Sequence, residues 1–200
     1  SFINGLRVTD EKVISIVEDV FIKFNKEIVY ALKNHSSDAK GINSKENNII
    51  NVKKVSKELG FVGVPNEINI NILKKIIESN KIPVIAPLGL SLDNHVYNIN
   101  ADTAAGAIAK KLKARRLLIV SDVRGVLDKD KNLITEINSS KANQMITNNI
   151  ISEGMIPKIN NCIDVASNGV KGVVIIDGRS PHSILFELLS DKGAGTLIRK

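Results

Sequence analysis

The stretch Leu117-Leu118-Ile119-Val120-Ser121-Asp122-Val123-Arg124-Gly125 decides the fold prediction. Its first four residues form an uninterrupted apolar run, which is typical of a strand buried on both faces of a parallel sheet. The polar residues and the glycine that follow predict a loop at the carboxyl end of that strand. Ligands of open α/β sheets bind beyond the carboxyl ends of the strands. The stretch therefore predicts both a core strand and part of a binding site.

The rest of the chain repeats this alternation of helices and apolar strands. Helical spacing or an alanine-rich composition predicts helices, and short apolar runs predict strands. The predicted helices are Asp10–Lys33, Ile70–Asn80, Ala101–Lys113 and Met155–Asn168, and the predicted strands are Ile82–Ala86, Leu117–Val120 and Val173–Ile176. This order predicts an α/β protein: a three-layer α/β/α sandwich with a mainly parallel central sheet, formed by residues 1–200 as a single domain.

Two further local predictions concern the first half of the chain. Thr9 is expected to cap the first helix, and one face of that helix is expected to be buried. The apolar residues that define this face are Val13, Ile16, Val17, Val20, Phe21 and Phe24. Three short segments bounded by turn residues predict strands of a small antiparallel excursion: Ala39–Ile42, Asn48–Val52 and Phe61–Val64.

Composition excludes several classes of protein. No apolar stretch approaches the roughly 20 residues of a membrane helix. The net charge is +7, but the basic residues are spread along the chain, which does not favour a nucleic-acid partner. The one cysteine, Cys162, excludes an intramolecular disulfide, and the three histidines lack metal-ligand spacing. We therefore expect no metal site held by the protein alone, no membrane and no nucleic acid, with the cytoplasm as the location and a plastid as the alternative.

A polar cluster lies in the segment Asn98-Ile99-Asn100-Ala101-Asp102, before the third predicted helix. Asn98 and Asn100 alternate in an extended segment, so both can face one way. One interpretation is helix capping by Asn100 or Asp102. The other is that an amide holds a polar substrate while the carboxylate orients a lysine.

The loop Asp122–Leu127 also has two interpretations. It is either an ordinary loop between a strand and a helix, with an Asp-initiated turn, or a nucleotide site in which Gly125 permits close approach of the backbone. It is not a Walker A loop, since the chain contains no Gly-Lys-Ser/Thr sequence.

Two cations stand out by position. Lys158 falls in the first turn of a predicted helix, where a positive charge is mildly unfavourable unless it binds an anion such as phosphate. Arg7 precedes the first helix and can clamp a carboxylate with two hydrogen bonds. For each cation the alternative is an exposed, solvated side chain.

Six motifs, taken together and in order, resemble acetylglutamate kinase, a member of the amino acid kinase family. The resemblance covers essentially the whole chain. The motifs are Asn4-Gly5-Leu6-Arg7-Val8-Thr9, Asn25-Lys26-Glu27, Leu59-Gly60-Phe61-Val62-Gly63, Asn98-Ile99-Asn100-Ala101-Asp102, Ser121-Asp122-Val123-Arg124-Gly125-Val126-Leu127 and Gly154-Met155-Ile156-Pro157-Lys158.

The resemblance implies transfer of the γ-phosphoryl group of ATP, with bound Mg²⁺, to the side-chain carboxylate of N-acetyl-L-glutamate. It implies that Arg7 and Asn98 bind the substrate, that Asp102 orients catalytic lysines, and that Lys158 stabilises the transferring group. The nucleotide site would comprise Asp122, Val123, Arg124, Gly125, Val126 and Leu127, with Ile150, Ile151 and Ser152 beside them. Residues 1–100 would then form the acetylglutamate side and residues 101–200 the ATP side.

The tail from His182 to Thr196 resembles that of arginine-inhibited members, which makes Glu187 and Gly195 candidates for an arginine site. Relatives form dimers or hexamers, and some bind a PII-type signalling protein, so a homo-oligomer is expected.

The chain departs from the family pattern at two places. It contains no Lys-x-Gly-Gly loop, so we expect that the N-terminal phosphate-binding segment is lacking. It also has Asn43-Ser44-Lys45-Glu46-Asn47-Asn48 where relatives have a Gly-Lys-Asp-Gly turn. The first departure leaves an alternative function open: a catalytically incompetent module that senses arginine or binds a PII-type protein. An upstream Lys-x-Gly-Gly strand in the full reading frame would favour the enzyme.

Overall fold

A computed structural model of the protein describes residues 2–3, 6–151 and 154–200. Ser152 and the Asn4-Gly5 pair of the first motif lie outside the described residues. The chain divides into two compact units, Ser1–Ala104 and Ala105–Lys200.

Unit 1 contains short strands around two helices. In chain order its elements are β1 (Phe2–Ile3), β2 (Leu6–Arg7), α1 (Glu11–Asn34), β3 (Ala39–Ile42), β4 (Ile50–Lys54), β5 (Gly63–Ile68), α2 (Ile70–Glu78), β6 (Ile82–Ile85), β7 (Leu88–Leu90) and β8 (Val96–Asn98). Strands β5, β4, β7 and β8 form one sheet in that order, while β3 pairs with β6 and β1 with β2.

The pairing of β3 corrects one prediction. Strands β4 and β5 are antiparallel as expected, but β3 pairs in parallel with β6, with Gly41 opposite Val84. The reason is packing: Gly41 lies against the Asn25 side chain of α1, and Asn25 Nδ2 donates a hydrogen bond of 2.8 Å to the carbonyl oxygen of Val84. The helix therefore binds both strands of the pair.

Helix α1 is present as predicted, but its cap and its buried face differ. The side chain of Asp10, not of Thr9, accepts a hydrogen bond of 2.9 Å from Val13 N. Thr9 instead donates its hydroxyl hydrogen bond to Arg7 O. The fully buried residues of α1 are Ile14 and Asn25, and Val13, Val17 and Phe21 of the predicted stripe are half-buried. Three residues of that stripe are largely exposed, namely Ile16 (63%), Val20 (57%) and Phe24 (57%).

Unit 2 contains one four-stranded sheet and its helices. Helix α3 (Ala101–Leu112) has residues on both sides of the division; the elements that follow are β9 (Leu117–Ser121), β10 (Glu136–Asn138), α4 (Ser139–Thr147), α5 (Ile156–Ser167), β11 (Val173–Asp177), α6 (Ser183–Leu189) and β12 (Gly195–Arg199). The strand order is β10-β12-β11-β9. Strands β9 and β11 are parallel, whereas β12 runs antiparallel to β11.

The core of unit 2 lies around β11, whose five residues are all buried. Side chains of α5, including Ile159 and Cys162, belong to the same apolar cluster and are fully buried. This agrees with the sequence, since Val173–Asp177 is apolar up to its last residue. Burial of each such side chain contributes roughly 1.5–3 kcal/mol.

The prediction of an α/β fold with parallel strand pairs is confirmed, and the predicted helices occur within a few residues of their expected bounds. Strands β1, β2, β7, β8, β10 and β12 and helices α4 and α6 were not predicted. Within the described ranges, no helix is long and apolar enough to cross a membrane.

Candidate functional site

A cavity of about 710 Å³ opens in unit 2 beyond the carboxyl ends of β9 and β11. Its volume lies within the roughly 300–1,000 Å³ of small-molecule sites. The lining residues are Asp122, Val123, Arg124, Gly125, Val126, Leu127, Asp128, Lys129, Lys131, Asn148, Asn149, Ile150, Ile151, Met155 and Arg179. The structure thus brings Asp122–Leu127 together with Ile150 and Ile151, whereas the candidate Ser152 is not described.

Gly125 allows the loop after β9 to lie close to β12. Its φ of +136° is a conformation that side chains disfavour, and a Cβ atom there would lie 2.5 Å from Thr196 Oγ1. Thr196 is fully buried; it accepts a hydrogen bond of 2.8 Å from Val126 N and donates one of 2.6 Å to Ile134 O. One threonine therefore fixes both ends of the segment 126–134.

That segment is a small hairpin closed by Asp128. Asp128 Oδ1 accepts hydrogen bonds from Asp130 N (2.9 Å) and Asn132 N (2.8 Å). Leu127 pairs with Leu133 in an antiparallel bridge, and Ile134 N donates to Val126 O. The predicted Asp-initiated turn thus lies at the end of the loop. The backbone around the cavity is held by local hydrogen bonds, which reduces the entropy lost when a ligand orders it.

Arg179 contributes a guanidinium group to the cavity from the end of β11. Its Nε and Nη2 donate hydrogen bonds of 2.9 Å to the two carboxylate oxygens of Asp177, which is itself largely buried. These bonds, the Arg179 backbone N–H and the charges of Arg179 and Arg124 lower the pKa of Asp177 to about 2. The pKa of Arg179 is raised by the same hydrogen bonds and by the charge of Asp177. The pair stays ionised and holds the guanidinium in one orientation.

Lys158 is the third residue of α5 and is half-buried in its first turn. The helix has no side-chain N-cap, and Pro157 lies beside Lys158. A lysine ammonium and the positive end of a helix dipole both attract anions. Lys158 therefore lies in the first turn of a helix, as predicted, where it could bind a phosphate group.

Within unit 1, the candidates Arg7 and Asn98 belong to segments that both contact residues 59–62. Thr9 N donates to Leu59 O (3.0 Å) and Phe61 N donates to Thr9 O (2.7 Å). On the other side, Asn98 N donates to Phe61 O (2.9 Å). Arg7 is exposed and Asn98 is half-buried. Chain segments separated by about 90 residues in sequence are thus held on either side of one strand-like segment.

Gly60 makes the first of these contacts possible. It has φ +70°, and a Cβ atom would lie 2.3 Å from Thr9 O. Any side chain would push the segment that carries Arg7 away, which explains the glycine of the Leu59–Gly63 motif.

The segment before α3 settles part of the capping question. Asn100 Oδ1 accepts a hydrogen bond of 3.0 Å from Thr103 N, so Asn100 caps α3. Asp102 is half-buried in the first turn of that helix and has interactions of its own. Capping is therefore carried by Asn100, and Asp102 is not needed for it.

The two candidates for an arginine site lie in α6 and β12. Glu187 is buried, and its carboxylate accepts hydrogen bonds from Ala194 N (2.9 Å) and from Arg116 Nη1 (3.3 Å). Gly195 lies against β11, where a Cβ atom would be 1.9 Å from Ile175 O. Strand pairing by itself therefore requires glycine at position 195.

Comparison with known proteins supplies the family. A model of the amino acid kinase family matches residues 1–177. An acetylglutamate kinase of Pelagibacter ubique is 68% identical over 200 residues, which are 100% of this chain and 69% of that protein. One of Brucella anthropi is 47% identical over 211 residues, covering 98% of this chain and 71% of its own length. The crystal structure of smu.665 from Streptococcus mutans UA159 is 30% identical with a TM-score of 0.86, over 100% of this chain and 76% of that one.

The chain belongs to the acetylglutamate kinases of the amino acid kinase family. The resemblance inferred from the six motifs and the amino acid kinase fold are thereby confirmed. Membership implies a kinase that uses ATP.

For an amino acid kinase, the cavity contains residues that the sequence did not single out for a role. Arg179 ends the run Asp177-Gly178-Arg179, which directly follows a predicted strand, and polar residues at that position are a signal that could have found it. Lys129 and Lys131 fall in a hairpin that periodicity does not reveal. Thr196 acts through a contact spanning 70 residues, for which the sequence carries no signal.

Proposed function

We propose that the chain catalyses ATP-dependent phosphorylation of the side-chain carboxylate of N-acetyl-L-glutamate. The products are N-acetyl-L-glutamyl 5-phosphate and ADP, in the synthesis of arginine. The observation that carries this proposal is the 68% identity to an acetylglutamate kinase across the whole chain. The cavity at the strand ends of unit 2 supports it as a nucleotide site.

Residues Asp122–Leu127, with Ile150 and Ile151, bind the nucleotide in this proposal, and the undescribed Ser152 stays a prediction. The fit rests on two properties of the cavity. Buried or half-buried apolar side chains such as Val126 and Ile151 suit a purine base, while its cationic side chains suit phosphates. The positive-φ loop at Gly125 lets backbone approach the ligand.

Lys158 stabilises the transferring phosphoryl group. Phosphoryl transfer depends on positioning and on neutralising charge at the phosphate oxygens, and it needs no covalent protein intermediate. A lysine in the first turn of α5 combines its own charge with that of the helix end. The carboxylate of Asp102 orients the catalytic lysines. It is available for this role because Asn100 already caps α3.

Arg179 is a further residue of the nucleotide site, and Asp177 positions it. Two bonds of 2.9 Å fix the guanidinium at the cavity and leave Nη1 unused in that pair. The fixed guanidinium suits a phosphate oxygen of the nucleotide, because an oriented fork of donors loses little entropy on binding.

Arg7 and Asn98 bind N-acetyl-L-glutamate, which offers two carboxylates and an amide. A guanidinium suits a carboxylate and a side-chain amide suits an amide, and both residues are attached to the segment around Phe61. Residues 1–100 are accordingly the acetylglutamate side of the chain and residues 101–200 the ATP side.

Mg²⁺ enters with the nucleotide. This ion keeps several waters and is usually held by substrate phosphates with one or two carboxylates. Among the described residues, no group of three or more His, Cys, Asp or Glu side chains is arranged to hold a metal. Asp122 and Asp128 both line the cavity, and Asp128 already accepts two backbone hydrogen bonds in its hairpin. Asp122 would therefore hold the phosphate-bound cation, which would neutralise charge on the phosphate oxygens.

Arginine is proposed as a feedback inhibitor that binds at Glu187 and Gly195. The support is chemical: the buried carboxylate of Glu187 already accepts a hydrogen bond from a guanidinium, that of Arg116. If saturating arginine changed neither the activity nor the melting temperature, this part of the proposal would be wrong.

Assembly and location complete the proposal. A homo-oligomer, either a dimer or a hexamer, is supported by the exposed apolar stripe of Ile16, Val20 and Phe24 on α1. Sedimentation of a Val20→Glu variant, expected to shift toward the monomer, tests it.

A PII-type signalling protein is the protein partner that the family resemblance implies. The cytoplasm is the proposed compartment; the named relatives are bacterial and lend no support to a plastid.

The deciding experiment is a calorimetric titration with a non-hydrolysable Mg-ATP analogue and then N-acetylglutamate, alongside trapping of the acyl phosphate with hydroxylamine. Binding of both ligands with formation of hydroxamate is the expected result. Hydroxamate from glutamate or aspartate in place of N-acetylglutamate would contradict the proposed substrate, and absence of binding by either ligand would contradict the site.

A further inference from the structure

A second, smaller depression of about 220 Å³ lies in unit 2, and it is lined by cations. The lining residues are Arg115, Arg116, Lys171, Gly172, Leu197 and Arg199. Arg115 and Arg116 directly precede β9, Lys171 and Gly172 directly precede β11, and Leu197 and Arg199 lie in the second half of β12. The nucleotide cavity lies at the opposite ends of β9 and β11, about 17 Å away along five residues of strand. The depression is therefore separate from the nucleotide cavity, while Arg116 links it to Glu187 of the proposed arginine site.

The strand register explains why the depression exists. Leu117 pairs with Val173, and Val173 pairs with Ile198. One row further out, Arg116, Gly172 and Arg199 therefore lie side by side at this edge. Neighbouring strands are about 4.8 Å apart, so the two arginines flank the glycine across roughly 10 Å. Gly172 has no side chain to fill the gap, and a Cβ atom there would lie 2.8 Å from Leu197 Cδ1.

The charges around this gap are only partly neutralised. Arg116 pairs with Glu187 and Arg199 with Glu136, each at 3.3 Å. Arg115 and Lys171 stand on the rim, and within the described ranges their side chains have no ion pair or hydrogen bond. Four cations from three separate segments converge on a floor formed by Gly172 and Leu197, and the two carboxylates offset their mutual repulsion only in part, so a further anion would lower the free energy of the group.

We infer that this depression binds a compact oxyanion of at least two negative charges. Phosphate and carboxylate groups share the required chemistry, because a guanidinium donates two parallel hydrogen bonds to either. The volume excludes a nucleotide: at about 30 Å³ per water, it holds roughly seven waters. The inference does not depend on the kinase reaction, since it rests on the other edge of the sheet.

The test uses inorganic phosphate and citrate as probes at constant ionic strength, with a non-hydrolysable ATP analogue present to occupy the larger cavity. Chemical shifts of the Gly172 amide report binding locally, and calorimetry gives the affinity. The test variant is Arg115→Gln/Lys171→Gln, which removes the two cations without described partners. The control is Lys12→Gln/Lys57→Gln, which removes the same charge from exposed positions of unit 1.

Saturable shifts at Gly172 are expected, with affinity about tenfold weaker in the test variant and unchanged in the control. Preference for one probe assigns the ligand to the phosphate or the carboxylate class. The inference is wrong if neither probe saturates. It is equally wrong if both variants lose affinity alike, because the effect is then general screening of net charge.

Discussion

The two units of this acetylglutamate kinase build their candidate sites in different ways. In unit 2, the cavity is lined by the segments that directly follow the parallel strands β9 and β11 and by the segment between α4 and α5. In unit 1, Arg7 and Asn98 come from distant segments and lie near one another only because both contact residues 59–62. Unit 2 rests on one strand with five buried residues, whereas unit 1 rests on several short pairings. Residues at parallel strand ends can be picked out from the order of strands in the sequence, whereas Arg7 and Asn98 were paired only through the family resemblance, because tertiary contacts hold their segments beside residues 59–62.

The largest expected effect comes from replacing Lys158. It would show that unit 2 supplies the residue that stabilises the transferring phosphoryl group. Lys158→Met should lower kcat by about 10²–10³ with little change in affinity for either substrate, because stabilisation of transition-state charge is lost. Steady-state kinetics measure this. Asn160→Met, on an exposed face of the same helix, serves as the control. A rise in KM at unchanged kcat would instead make Lys158 a ground-state ligand.

Asn98 should show an effect confined to the substrate of unit 1. Asn98→Leu keeps the backbone bond to Phe61 but removes the amide, so KM for N-acetylglutamate should rise about tenfold while KM for ATP is unchanged. Asn66→Leu, exposed on β5, is the matched control. An equal change in both KM values would break the division of roles between the units.

Thr196 gives the reciprocal test in unit 2. Thr196→Val removes the hydroxyl that binds Val126 N and Ile134 O, leaving two backbone groups unpaired at a cost of about 1–3 kcal/mol of unfolding free energy. Nucleotide affinity should fall and N-acetylglutamate affinity should not. Thr196→Ser keeps the hydroxyl and should retain both properties. Denaturant unfolding and calorimetry measure them, and a stable Val variant with normal ATP binding contradicts the assigned role.

The smallest effect is confined to acid pH. The pKa of Asp177 is about 2 in the folded protein against an ordinary 3.8, because Arg179 donates hydrogen bonds to the charged form. A lowered carboxyl pKa stabilises the fold above pH 3.8, and that stabilisation is lost as the pH falls toward about 2.

The melting temperature of wild type should therefore exceed that of Asp177→Asn above pH 3.8, and the difference should shrink below it. Other carboxylates are common to both proteins and cancel. In an Arg179→Met background the advantage of Asp177 should be lost. A difference independent of pH would show that the pair acts through packing rather than charge.

Much of the fold was predictable where burial alone determines structure. The apolar runs Leu117–Val120 and Val173–Ile176 both form strands as predicted, but only the second is buried on both faces. The prediction of full burial is wrong for the first run, because β9 lies at the end of its sheet order, with Ile119 buried and Val120 50% exposed. The stripe on α1 shows where such reasoning fails. Ile16, Val20 and Phe24 have helical spacing, yet the face that packs inward contains Ile14 and Asn25. Periodicity detects a helix, but it does not say which of two adjacent apolar faces contacts the strands.

The sequence by itself predicted an α/β kinase with a candidate nucleotide loop after one apolar strand, because these features reside in contiguous residues. Tertiary structure decided which groups complete the site. Thr196 holds the loop from 70 residues away, Arg179 is fixed by Asp177, and Arg116 and Arg199 meet across Gly172 only through strand register. Hydrogen bonds and charges act over a few ångströms in space, and separation along the chain carries no information about that distance.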